Sequence, residues 1–183
     1  MLERANCALV LVDYQSRLMP SIHGGEAAVA EAVFLARAAR ALGMPVVGTE
    51  QNPAGLGPNV DEVRALCDPT LAKMHFDAVA DGLALTLQAA RPGLAQVVVA
   101  GCEAHVCLMQ TALGLRRAGF RVWTVADASG SRRPSDRDLA LPRLAAAGAT
   151  PASAEMVAFE WLRSSSHPKF RELAPLLKSG PAV

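Results

Sequence analysis

Three side chains in this 183-residue chain have types and settings suited to covalent chemistry: the thiol of Cys107, the carboxylate of Asp13 and the amine of Lys73. Cys107 ends the segment Val97-Val98-Val99-Ala100-Gly101-Cys102-Glu103-Ala104-His105-Val106-Cys107, which reads as a buried strand, a turn and the opening of a helix. A helix amino terminus presents unpaired N–H groups and a partial positive charge, which favour thiolate over thiol and can hold an oxyanion. Position alone serves a buried, inert cysteine equally well, because free cysteine is among the most buried residue types. Asp13 closes the apolar run Cys7 to Val12. There it suits a general base beside a thiol, and it suits a helix cap. Lys73 lies in Thr70-Leu71-Ala72-Lys73-Met74-His75-Phe76, a cation among apolar neighbours, although most lysines are solvated.

For these groups to meet, the intervening chain must bring distant segments to one edge. Cys7 to Val12 is an unbroken apolar run, as expected for a parallel strand covered on both faces. Ala- and Leu-rich sequence from Glu26 to Leu42 has helical spacing, and Gly43 stops it before a second strand, Val46 to Thr49. The alternation returns as strands at Gln96 to Ala100 and Arg121 to Ala126, with helices at Val106 to Ala118 and Ser135 to Ala147. A weaker strand near Thr150 to Ala152 and helices at Ala154 to Leu162 and Pro168 to Leu177 follow. The pattern predicts a single α/β domain spanning residues 1–183, with a doubly wound, mostly parallel sheet and helices on both faces. In such sheets the ligand crevice lies beyond the carboxyl ends of the strands, where Asp13, Glu50, Gly101 to Cys107 and Asp127 fall.

Eighteen Lys and Arg against seventeen Asp and Glu leave a net charge of +1, with no basic field to draw nucleic acid or an anionic membrane. No apolar run approaches the roughly 20 residues of a membrane-spanning helix, and no export signal is seen, so a cytoplasmic protein acting on a small molecule is expected. The four cysteines lack CxxC spacing and are expected to be free thiols.

Asp13-Tyr14-Gln15, Lys73 followed by Phe76, and Gly101-x-Glu103-Ala104-x-x-Cys107 together resemble the isochorismatase-like cysteine hydrolases. The loop Thr49-Glu50-Gln51-Asn52-Pro53-Ala54-Gly55-Leu56-Gly57-Pro58 resembles the branch containing the animal isochorismatase domain-containing proteins and their bacterial relatives. The resemblance runs from about residue 7 to the His167-Pro168-x-Phe170 segment. It implies that Asp13 takes the thiol proton, Cys107 attacks a carbonyl, and Lys73 stabilises the charged pair, with C–N cleavage through a thioester. It also implies a non-proline cis bond before Glu103, an oxyanion hole made by the N–H groups of Glu103 and Cys107, and a homo-oligomer, at least a dimer.

Nicotinamidases of this superfamily carry an additional Asp and a paired-His metal site. Here His23, His75, His105 and His167 are scattered without ligand spacing, so neither metal nor other cofactor is expected. His105 stands where nicotinamidases usually have Asp, and Asp77 follows Phe76 where a small residue is common, so nicotinamide is not the favoured substrate. Tyr14, Glu50, Gln51 and His105 are expected to line the substrate pocket; the glycine loop serves as a plain turn equally well. Trp123 and Trp161 read as packing residues, and Arg132 and Arg133 as a solvated turn rather than an anion clamp. Two other functions fit the sequence: a thiol redox or detoxification protein in which Cys102 resolves an oxidised Cys107, and a catalytically silent oligomeric scaffold.

Overall fold

A computed structural model describes residues 1–178. Strands β1 (Cys7–Val12), β2 (Val46–Gln51), β3 (Thr70–Lys73), β4 (Gln96–Gly101), β5 (Arg121–Val125) and β6 (Thr150–Ala152) form one sheet in the order β3-β2-β1-β4-β5-β6. Every neighbouring pair is parallel. The order reverses at β1, whose two neighbours β2 and β4 lead to opposite edges, so the crevice of a doubly wound sheet lies at the ends of these three strands.

Side-chain alternation divides the core into two layers. Cys7, Leu9 and Leu11 point to the face covered by α1 (Gly25–Ala41), α7 (Ala154–Leu162) and α8 (Phe170–Lys178). Ala8, Val10 and Val12 point to the face covered by α4 (Leu83–Ala90), α5 (Met109–Arg117) and α6 (Pro134–Ala146). Trp123 and Trp161 both belong to the first layer. Two single-turn helices, α2 (Pro53–Leu56) and α3 (Asp61–Arg64), connect β2 to β3.

The expected strands and helices recur with small shifts at their ends, but α2, α3, β3 and α4 are additional. β3 is a half-exposed edge strand of four residues behind Pro69, too short for a period-2 signal. α4 offers only Leu83 and Leu87 as buried positions. Cys107 lies at the expected helix opening, although that opening is not regular α-helix. It lies in a wide π-type turn, Ala104–Leu108, that precedes α5.

At the end of β4 the backbone turns at Gly101, whose φ is +153°. A Cβ there would meet the Val12 carbonyl oxygen at 2.2 Å, so only glycine allows β4 to run this close to the end of β1.

Candidate active site

β1 delivers Asp13, β3 delivers Lys73 and the turn after β4 delivers Cys107. Asp13 adopts φ +56°, a left-handed conformation that Asp tolerates better than most residues and that recurs at functional sites. It is fully buried. Thr49, in the second half of β2, donates its hydroxyl to Asp13 Oδ1 at 2.6 Å. Lys73 Nζ lies 2.8 Å from Asp13 Oδ2 and is equally enclosed. The contact is a close, fully enclosed ion pair. Lys73 Nζ also donates to Gln51 Oε1 at 2.7 Å.

Cys107 is 7% exposed, and its sulfur is 4.0 Å from the same Gln51 oxygen. Burial pushes the thiol up to about 12, the Asp13 charge adds to this, and the Lys73 charge offsets it in part. Low dielectric and the facing carboxylate thus work against a thiolate at Cys107, while the Lys73 charge favours it.

The four expected pocket residues separate. Gln51 belongs to the site; Gln15 holds it in place, accepting the Gln51 N–H at 2.8 Å and donating to the Gln51 carbonyl at 3.0 Å. Tyr14 does not line a pocket: it is fully buried in the layer opposite Cys107, its hydroxyl donating to the Ala128 carbonyl. Continued alternation would have placed Tyr14 with Val10 and Val12; the left-handed backbone at Asp13 breaks it and turns Tyr14 to the other face. Glu50 likewise serves the loop, its carboxylate accepting the Asn59 N–H at 2.9 Å. His105 engages Ser131 Oγ at 3.0 Å through Nδ1 and lies 3.8 Å from Asp136 through Nε2, so neither nitrogen is committed to Cys107. With Arg132, Arg133 and Asp136 it borders a cleft of about 290 Å³. A larger, mostly apolar cleft of about 720 Å³, bounded by Met19, Val29, Val33 and Val60, includes none of Asp13, Lys73 and Cys107.

The peptide bond between Cys102 and Glu103 is cis. Val106 and Leu108 donate their N–H groups to the Glu103 carbonyl, and the Glu103 N–H itself has no partner among the described residues. The Glu103 carboxylate binds Arg132, which is thus not the merely solvated residue expected from its polar neighbourhood. Cys102 is fully buried in the layer opposite Cys107, and burial pushes its thiol up to about 12. That separation disfavours a resolving role. Sequence gives no role to Thr49 or Gln15 and only a solvated one to Arg132; for Thr49 the strand-end rule is an available signal, whereas nothing links Arg132 to Glu103, 29 positions away.

The isochorismatase domain model matches residues 7–156. Isochorismatase domain-containing protein 1 of Danio rerio is 39% identical over 181 residues, covering 97% of this chain and 62% of that protein. The chain thus spans less than two thirds of that relative's length. Among solved structures, MAR1 ribonuclease from Caenorhabditis elegans superposes with a TM-score of 0.91 at 32% identity, covering 99% of this chain and 94% of that one. The YcaC gene product of Escherichia coli, described as an octameric hydrolase of unknown specificity, superposes with a TM-score of 0.82 at 26% identity, covering 97% and 96%.

Proposed function

This chain belongs to the isochorismatase domain family, and from that premise we propose that it is a metal-independent hydrolase that cleaves a C–N bond of a small molecule through a thioester on Cys107. The observation that carries this reading is the buried Asp13–Lys73 pair, 2.8 Å apart, with both charges acting on the Cys107 thiol.

In the proposed sequence, Asp13 accepts the thiol proton as sulfur attacks the amide carbonyl. The Glu103 and Cys107 N–H groups receive the oxyanion. The C–N bond breaks, and the leaving nitrogen takes the proton held by Asp13. Water then gives a proton to Asp13 and adds as hydroxide to the thioester; the C–S bond breaks, the sulfur recovers the proton and the acid departs. Lys73 keeps a positive charge beside the carboxylate and the sulfur throughout, which limits the cost of forming a buried thiolate. Thr49 and Gln51 hold Asp13 and Lys73 in place.

A homo-oligomer is part of the proposal, supported by the octameric description of the Escherichia coli relative and by the exposed Met74 and Phe76 beside Lys73. The worm relative is named a ribonuclease. The near-neutral charge of this chain argues against RNA, whose binding draws on a cationic surface.

A panel of small amides with ammonia detection tests the reading, with RNA as a control substrate. Release of ammonia by the wild type and none by Cys107→Ala supports it. Undiminished release by Cys107→Ala, or cleavage of RNA with no amide turned over, rejects it.

A further inference from the structure

Glu103 is anchored through both its carbonyl and its carboxylate. Its carbonyl accepts the N–H groups of Val106 at 3.0 Å and Leu108 at 3.2 Å, which close the turn carrying Cys107. Its carboxylate, 9% exposed, accepts the Arg132 backbone N–H at 2.9 Å, with Arg132 Nε at 3.0 Å from Oε2 and 3.1 Å from Oε1. The segment before Arg132 runs along the same turn: Ala104 N–H donates to the Gly130 carbonyl at 2.7 Å and Gly130 N–H to the Gly101 carbonyl at 3.3 Å. His105 adds its contact with Ser131. Between these anchors lies the Glu103 N–H, free of any partner among the described residues.

A carboxylate withdrawn from water needs donors, and charge-assisted bonds from an arginine are among the strongest available. Burial pushes the Glu103 carboxyl up, but the hydrogen bonds and charge of Arg132 outweigh it and hold the group below its usual range. Glu103 is therefore ionised at neutral pH. Arg132 itself is 62% exposed, so its guanidinium grips the turn from outside.

Building on the reading that Cys107 forms an acyl-enzyme, we propose that Arg132 is a positioning residue that fixes Glu103 through its carboxylate and thereby aims the Glu103 N–H at the oxyanion formed on Cys107. Arg132 then touches no reacting atom. Its effect should appear only in reactions that pass through an oxyanion.

Two probes of the full chain separate the cases. p-Nitrophenyl acetate acylates a thiol through a tetrahedral oxyanion, whereas iodoacetamide alkylates it by direct displacement without one. Both rates are read at Cys107 by peptide mapping in the wild type, Arg132→Met, Arg132→Lys and Glu103→Gln, with folding checked by thermal melting. Loss of one oxyanion donor costs about 10²- to 10³-fold, so a misaimed donor in Arg132→Met should slow acetylation about tenfold or more and leave alkylation unchanged. Glu103→Gln should weaken acetylation in the same selective way. Arg132→Lys keeps the charge but not the planar donor group, and should recover part of the rate. Wild-type acetylation by Arg132→Met, or equal loss of acetylation and alkylation, overturns the positioning role while leaving the acyl-enzyme reading intact. Failure of wild-type Cys107 to acetylate removes that reading itself, and the positioning role with it.

Discussion

Replacing Asp13 with Asn should make the Cys107 thiol more acidic while stopping its turnover. In the wild type, burial and the facing Asp13 charge hold the thiol up near 12 against the pull of Lys73. Asparagine removes one of the two raising causes and leaves Lys73 without its counterion. An ionic neighbour within hydrogen-bonding range shifts a pKa by about 1–3 units, so the thiol should fall by that amount. The change also costs stability. At 2.8 Å and an effective dielectric of about 20, the pair attracts by about 6 kcal/mol before desolvation is counted. Removing one partner of such a buried pair costs about 3–5 kcal/mol. The assay is the pH dependence of iodoacetamide alkylation at Cys107, with denaturant unfolding and acyl turnover measured beside it. The wild-type alkylation rate should keep rising to the alkaline limit of the fold, and Asp13→Asn should level off at lower pH yet turn over no acyl group. A profile at or above the wild type would refute the reasoning, because the Asp13 charge would then not face the sulfur.

Thr49→Val should remove the buried hydrogen bond to Asp13 and cost about 1–3 kcal/mol by denaturant unfolding, with slower acetylation of Cys107. Gly101→Ala should lose more than about 4 kcal/mol or fail to fold, given its φ and the Val12 carbonyl at 2.2 Å; stability near wild type would show that β4 can retreat from β1. Exhaustive chelation should leave acyl turnover unchanged, whereas loss restored by one divalent ion would reject the metal-independent mechanism.

Much of the fold was legible because strong signals were local. Apolar runs ending at Val12 and Ala100 marked central strands, and glycines at 43, 119 and 148 marked helix ends. β3 was not legible because an edge strand buries only part of its surface and carries no alternation. Of the site, the strand-end rule and the resemblance together pointed to Asp13, Lys73 and Cys107, which the fold brings to one place. The rule failed for Tyr14 and Glu50, since it fixes where a residue lies along the sheet but not which way its side chain turns. The helix-end argument at Cys107 counts charge and dipole but not burial, which raises the thiol and is not legible from position. Arg132 read as merely solvated because its partnership with Glu103 exists only once β4 and β5 lie side by side.

The central claim is a covalent acyl group on Cys107, and trapping it is the direct measurement. Wild type mixed with p-nitrophenyl acetate, quenched in acid and mapped by mass spectrometry should carry one acetyl group on the peptide containing Cys107, released by hydroxylamine as a thioester. Cys107→Ala should carry none and should show no burst of p-nitrophenol. A stoichiometric adduct on another residue, or hydrolysis undiminished in Cys107→Ala, would contradict the account.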